Sequence, residues 1–231
     1  MNEKWNIERD IIPKGTEYMI VFRGGQGGNF LSTALNIALD IDTPDNSIGH
    51  NEYSNVSDRC LPVRNTHINL WFKDYHAQPY GEETYTPSKY KEILRIFRDK
   101  NLRIILLNAD PHTMLRTELI GTLKSQARGD LSPEFDLHQD TSYCAIVDNT
   151  SVPLYLDIIR HYRNLEHLLQ HRNIDYLTVD YRDLFIDLNV QPLVQFLNIP
   201  QHNTQSLIDR LNEYTVRNRS LLNSVDIDFP A

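Results

Sequence analysis

The stretch that decides the fold is Glu17-Tyr-Met-Ile-Val-Phe22, followed by Arg23-Gly-Gly-Gln-Gly-Gly28 and then by Asn29-Phe-Leu31. A short apolar run of this kind, rich in strand-forming residues, is typical of a buried strand in a parallel sheet. After Asn29 the apolar residues change to helical spacing, and Asn29 is a suitable N-cap. We therefore predict a strand, a glycine-rich loop and a helix over residues 17–40.

The loop itself carries four glycines within five positions, Gly24, Gly25, Gly27 and Gly28. Glycines let backbone N–H groups approach a ligand without interference from Cβ atoms, and the following helix N-terminus adds partial positive charge. Together these features predict a site for a phosphate-like anion. A second interpretation stays open, in which the glycines only allow tight packing of the strand against the helix.

The loop differs from two well-known nucleotide motifs. No Gly-Lys-Ser/Thr follows it, as a Walker A sequence requires, and the glycines lack the GxGxxG spacing of a dinucleotide-binding fold. A kinase, an ATPase and a dehydrogenase are therefore disfavoured.

Elsewhere along the chain, helical and strand patterns alternate, which favours one three-layer α/β domain over residues 1–231: a central, mostly parallel sheet with helices on both faces. Residues 42–87 show few clean periods and are expected to form an irregular cap that shapes a substrate pocket. The predicted strands are 102–107 and 176–179, and the predicted helices are 88–100, 112–124, 153–171, 182–186, 192–197 and 204–222.

Composition excludes several classes of protein. The chain has 231 residues, 40% of them hydrophobic, and a formal net charge of −8, so a nucleic-acid-coating surface is not expected. No apolar run approaches membrane-spanning length and no leader pattern opens the chain, which predicts a cytoplasmic protein without a membrane partner. Cys60 and Cys144 are the two cysteines, too few for a disulfide scaffold.

Four segments, in order along the chain, resemble the sulfotransferase family, in particular its short bacterial and phage-type members. Gln26-Gly-Gly-Asn-Phe-Leu31 stands where the family holds the 5′-phosphosulfate of 3′-phosphoadenosine 5′-phosphosulfate. Val63-Arg-Asn-Thr-His-Ile68 is similar to the segment that carries the family's catalytic histidine, and it points to His67.

The other two segments lie further along the chain. Residues 106–117 are similar to the strand and turn that bind the donor's 3′-phosphate, with Thr117 in the place of the family's serine. Residues 179–184 and 196–200 resemble the family's late strand and helix. The likeness therefore spans residues 17–200.

The resemblance implies a P-loop NTPase-like fold and a nucleotide-binding transferase. It would move a sulfuryl group from 3′-phosphoadenosine 5′-phosphosulfate to a hydroxyl or amine of a small-molecule or glycan acceptor, without a metal. His67 would be the base, since a neutral imidazole at intracellular pH can take the acceptor's proton. The implied donor-binding residues are Gly24, Gly25, Gln26, Gly27, Gly28, Asn29, Phe30 and Thr117.

Two departures from the family pattern support an alternative. The loop has no Lys, and Ala109 stands where the family has its 3′-phosphate arginine; Arg23, Arg116, Lys124 and Arg128 are candidates for the missing charge. The alternative is a non-catalytic member of the fold that serves in an assembly such as a phage particle. Whether the chain forms a homo-oligomer or joins an assembly partner stays open.

Two further groups of titratable residues are interpreted as structural. Asp180 and Asp183 flank Tyr181 like paired carboxylates, but in the resemblance this segment opens a helix. His167 and His171 lie four residues apart on a predicted helix, but the acidic residue of an HExxH metal motif is missing.

Overall fold

The computed structural model describes residue 12 and residues 15–22, 26–43, 61–67, 87–109 and 164–224. Helices and strands alternate in this part of the chain. In order they are β1 (Tyr18–Phe22), α1 (Gly28–Ala38), β2 (Val63–His67), α2 (Pro87–Asp99), β3 (Arg103–Asn108), α3 (helical residues 164–171), β4 (Tyr176–Asp180), α4 (Tyr181–Phe185), α5 (Gln191–Leu197), a 3-10 turn (Gln201–Asn203) and α6 (Thr204–Ser224).

The four strands form one parallel sheet in the order β2-β1-β3-β4. The last residue of β1, Phe22, pairs in register with His67, the last residue of β2. On the other side of the sheet, Asn108 at the end of β3 pairs with Asp180 at the end of β4. All four strands therefore end at one carboxyl edge, and the glycine loop leaves β1 at that edge.

The central strands are buried on both faces, as their apolar sequences predict. Every residue of β1 is buried, and so are Ile104–Leu107 of β3. Strands covered on both faces read as continuous apolar runs, because neither side of the pleat meets water. The apolar runs over 17–22 and 102–107 are explained by this burial.

Two separate hydrophobic clusters cover the two faces of the sheet. Ile20 and Phe22 of β1 belong to the first cluster, together with side chains of α1, α4, α5 and α6. Met19 and Val21 belong to the second cluster, together with side chains of α2 and α3. Since successive strand residues point to opposite faces, helices pack on both sides of the sheet, as predicted.

The strand order changes direction beside β1. From β1 the chain runs through α1, on the first face, to β2 on one side. The helices α2 and α3, which precede β3 and β4, lie on the second face as the chain moves to the other side. When all crossover connections have the same hand, a chain that reverses its direction across the sheet must place its connecting helices on the opposite face. The carboxyl ends of β1 and β3 thus form the switch point at which α/β proteins bind ligands.

Most predicted elements are confirmed to within about two residues, but two predictions are corrected. Strand β2 lies inside residues 42–87, which were expected to be irregular. The N-cap of α1 is Gly27 and not Asn29, because the left-handed turn at Gly27 already starts the helix at Gly28. The predicted helix 112–124, residues 153–163 of the predicted helix 153–171 and most of the predicted cap lie outside the described residues.

Among the described helices, none combines the length and apolar character needed to cross a bilayer.

Candidate functional site

The candidate site is the turn that connects β1 to α1 at the switch point. Gly27 has φ 77° and ψ 17°, a left-handed conformation, and its carbonyl accepts the Leu31 N–H at 2.8 Å. The amides of Gly28, Asn29 and Phe30 therefore form the first turn of α1. An α-helix has no internal acceptors for its first N–H groups, and its dipole makes this end attractive to an anion.

Each of the two glycines in this turn is also required by close packing. A Cβ atom at Gly27 would lie 2.7 Å from the Tyr214 hydroxyl oxygen, and one at Gly28 would overlap the ring of Phe22. Real Cβ atoms do not approach neighbours this closely, so a side chain at either position forces a rearrangement. Packing alone therefore accounts for Gly27 and Gly28, whereas Gly24 and Gly25 lie outside the described residues.

Two side chains of the turn are buried. Gln26 is fully buried, and Phe30 is 5% exposed within the first hydrophobic cluster. Both were predicted to bind the nucleotide, and at such burial neither side chain is available to a ligand at the surface. Asn29, which was predicted with them, is half-buried. The candidate site therefore consists of the main-chain N–H groups of the first turn of α1, with Asn29 among them.

The first turn of α1 is held from the far end of the chain. The Phe30 ring stacks on Tyr214 of α6, with centroids 4.3 Å apart and planes 18° apart. Phe185 of α4 packs against the same tyrosine at 5.3 Å. Aromatic contacts of this kind stabilise the folded protein beyond the contribution of its buried apolar area.

A ladder of polar contacts joins α1 to the edge of β2. The Asn36 side chain accepts the Val63 N–H at 3.1 Å and donates to the Val63 carbonyl at 2.8 Å. One helical turn earlier, Ser32 Oγ accepts from Asn65 Nδ2 at 2.7 Å. These contacts supply partners for the backbone and side chains of a strand that has little apolar sequence of its own.

The same ladder gives the position of His67. Two residues along a strand cover about 6.6 Å, and four residues along a helix cover about 6 Å. The steps from Val63 to Asn65 and from Asn36 to Ser32 therefore continue to His67 and Gly28. The backbone of His67 is level with the first turn of α1 and pairs in register with Phe22.

The third predicted segment is described only at its start. Ala109 directly follows β3, is 7% exposed and belongs to the first hydrophobic cluster. Its N–H donates to the Asn108 side chain at 2.9 Å. Alanine suits these apolar surroundings. In the resemblance to sulfotransferases, an arginine would stand at this place. Thr117 lies outside the described residues.

The fourth segment has a structural role, as predicted. Asp180 is the N-cap of α4, and its carboxylate accepts the Arg182 N–H at 2.8 Å. Asp183 lies in the first turn of the same helix, where a negative charge is stabilised by the helix dipole. The two carboxylates therefore serve the helix terminus.

His167 and His171 have ring centroids 6.5 Å apart. Within the described residues, three or more His, Cys, Asp or Glu side chains do not come together in a metal-binding arrangement.

Three residues of this region were not singled out from the sequence. Asn36 is a polar residue within the apolar stripe of α1, and that conflict was the signal that could have revealed it. Asn65 and Tyr214 act through contacts between distant segments, and their local sequence does not distinguish them.

Comparisons with known proteins found no relative. Protein-family models, curated proteins and solved structures contain no match to this chain. The site is therefore interpreted from its own residues, its geometry and the resemblance of its motifs.

Proposed function

We propose that this chain is a sulfotransferase-like enzyme with a P-loop-like nucleotide site. It takes 3′-phosphoadenosine 5′-phosphosulfate as donor, holds the donor's 5′ end at residues 24–31 and uses His67 as the base. The acceptor is a hydroxyl or an amine. The resemblance of the four ordered segments motivates the proposal, and the geometry of the carboxyl edge supports it.

The observation that carries the proposal is the neighbourhood of His67 and the glycine turn. These two motifs are far apart in sequence, yet Phe22, which leads into the loop, pairs in register with His67. Neighbouring strands lie about 4.8 Å apart, so the backbone of His67 lies beside the strand end that leads into the loop. A base and an anion site must contact the same substrate for a proton to leave the acceptor while the sulfuryl group is transferred.

In the proposed reaction, the imidazole of His67 takes the proton from the acceptor hydroxyl or amine. The acceptor atom forms a bond to the sulfur, and the bond from sulfur to the bridging phosphate oxygen breaks. The electron pair of that bond stays on the phosphate. The amides of Gly28, Asn29 and Phe30 stabilise the charge that develops there, and the products are the sulfated acceptor and 3′-phosphoadenosine 5′-phosphate.

The test uses ligands in place of loop variants, because Gly27 and Gly28 also support the packing. Calorimetric titrations compare 3′-phosphoadenosine 5′-phosphate with adenosine 3′-phosphate, which lacks the 5′-phosphate. We expect at least about a tenfold tighter dissociation constant for the first, since a charge-assisted hydrogen bond contributes about 1.5–3 kcal/mol. Equal affinity for both, or no binding of either to the folded protein, contradicts the donor site.

A second candidate function is favoured by two specific observations. Gly27 and Gly28 are explained by packing against Tyr214 and Phe22, and Ala109 is buried where the family has an arginine. These features fit a non-catalytic member of the fold that serves as an assembly component. Folded protein that binds neither nucleotide in the titrations above, but forms a defined oligomer in sedimentation experiments, would favour this role.

A further inference from the structure

Tyr214 occupies an unusual place in the described core. It belongs to α6, at the opposite end of the chain from the glycine turn, and is 6% exposed. Its ring stacks on Phe30 at 4.3 Å, and its hydroxyl approaches the place where Gly27 would carry a Cβ atom. One side chain therefore touches both sides of the turn: the residue with positive φ and the first helical turn.

The Tyr214 ring fills the space that a side chain at Gly27 would need. A Cβ atom built there would be 2.7 Å from the tyrosine oxygen, 3.0 Å from Cζ and 3.1 Å from Cε1. The tyrosine thus lies against the backbone at the point where the chain turns into α1. Since Gly27 sets the direction of the following amides, the position of Tyr214 and the direction of these amides are linked.

We propose that Tyr214 is a positioning residue for the anion site. It holds Gly27 in the left-handed conformation and thereby fixes the direction of the Gly28, Asn29 and Phe30 amides. The ligand in this proposal, a nucleotide 5′-phosphate, rests on the proposed function, whereas the mechanical role of Tyr214 does not. The C-terminal helix is then part of the binding machinery.

Tyr181 provides a matched control. It is 5% exposed, belongs to the same hydrophobic cluster, and contacts Phe185 at a centroid distance of 4.8 Å. It follows β4, two strands away from β1, and the three atoms nearest to a Cβ built at Gly27 all belong to Tyr214. Loss of either tyrosine ring removes aromatic packing from one core, but Tyr214 is the one whose ring fills the space beside Gly27.

The first experiment compares Tyr214→Leu with Tyr181→Leu by hydrogen exchange and by titration with 3′-phosphoadenosine 5′-phosphate. We expect the Tyr214 variant to exchange the amides of residues 28–30 at least about tenfold faster relative to the β3 amides, and to bind the nucleotide about tenfold more weakly, which is the cost of one misdirected hydrogen bond. The Tyr181 variant should show a similar loss of melting temperature with neither effect. Equal exchange at residues 28–30 in both variants overturns the proposal.

A second measurement keeps the test valid if a leucine variant does not fold. Tyr214→Phe keeps the stacked ring and removes the hydroxyl, the group that would lie closest to a Cβ atom at Gly27. Adding Gly27→Ala should therefore lower the melting temperature more in the unmodified protein than in Tyr214→Phe. Equal losses in both backgrounds overturn the assignment.

The two proposals fail separately. If the unmodified protein binds no nucleotide, the donor site is lost, and the exchange rates and the double variant still decide the role of Tyr214. If the nucleotide binds but the exchange at residues 28–30 is indifferent to Tyr214, the donor site stands and Tyr214 is a core residue only.

Discussion

The carboxyl edge and the amino edge of the parallel sheet, where the strands end and begin, carry different chemical groups. At the carboxyl edge, β1 leads into a glycine turn whose polar groups are backbone amides, with His67 beside it. At the amino edge, Arg103 at the start of β3 donates to Asp175 at 2.6 Å and lies over the ring of Phe196 at 4.1 Å. The first edge presents main-chain groups, and the second pairs charged side chains with each other and with aromatic rings.

This difference separates binding from stability. Burial by itself lowers the pKa of Arg103, but the side-chain hydrogen bonds to Asp175 and Tyr18 and the negative charge of Asp175 outweigh it and raise the pKa. The guanidinium is thus already occupied by partners on its own edge. The carboxyl edge has amides that converge at a helix N-terminus, which is the arrangement that suits an incoming anion.

The largest effect is expected at the carboxyl edge from His67→Gln. Removing a general base lowers the rate of proton-coupled transfer by about 10² to 10⁴, while the nucleotide affinity should stay the same. The rate is measured as release of 3′-phosphoadenosine 5′-phosphate from the donor, with a panel of phenols and amines as acceptors. His202→Gln is the control, because His202 is 74% exposed and lies beside Asp40, past the C-terminal end of α1. A rate equal to that of the unmodified protein removes His67 from the mechanism.

The next largest effect is on stability, from Gly28→Ala. The new methyl group would overlap the Phe22 ring, and overpacking of this kind costs up to about 3 kcal/mol. Denaturant unfolding measures the loss. Phe22→Leu should reduce the cost of the alanine, because the smaller side chain leaves space beside the helix. If Gly28→Ala causes no loss of stability, the turn can shift far enough to place the methyl group beside Phe22, which would contradict this prediction.

A third effect depends on pH and comes from Tyr181, directly after β4. Burial raises the pKa of Tyr181 to about 12, whereas an unfolded tyrosine titrates near 10. Between these two pKa values the folded state keeps the proton of Tyr181 and the unfolded state loses it. The contribution of Tyr181 to the free energy of unfolding is therefore complete below pH 10 and is lost as the pH rises toward 12. The fall due to this residue is about 2 kcal/mol.

The variant Tyr181→Phe isolates this contribution. Between pH 9 and about pH 11.5, the free energy of unfolding should fall less in the variant than in the unmodified protein, since phenylalanine has no proton to lose. Parallel pH curves for the two proteins would mean that the hydroxyl reaches solvent in the folded state.

The smallest effect is expected at the amino edge, from Arg103→Gln. The ion pair is partly exposed, and with the contact to Phe196 it contributes about 1 kcal/mol. Denaturant unfolding should show this loss and a weaker dependence on salt. Nucleotide affinity should not change; a marked loss of affinity would break the separation between the two edges.

The fold was largely predictable because burial leaves a strong pattern. The helix Pro87–Asp99 was predicted to within a residue, since its apolar residues repeat three and four apart. Strand β2 was missed because Val63-Arg-Asn-Thr-His67 has a single apolar residue. Its place depends on Asn36 and Ser32 of α1, which no local pattern contains.

The candidate site was predictable only in part. Glycine content and order predicted a tight turn, but the positive φ at Gly27 and its contact with Tyr214 moved the N-cap away from Asn29. The burial of Phe30 likewise depends on the helices that pack over the first face of the sheet. Long-range packing therefore decides which groups of the loop face a ligand.

The most direct measurement of the central claim is a crystal structure of the protein grown with 3′-phosphoadenosine 5′-phosphate. We expect the 5′-phosphate to bind at the carboxyl edge, with its oxygens about 3 Å from the amides of Gly28–Phe30. A nucleotide bound at another edge of the sheet, or an undisturbed turn with no nucleotide at saturating concentration, would contradict it.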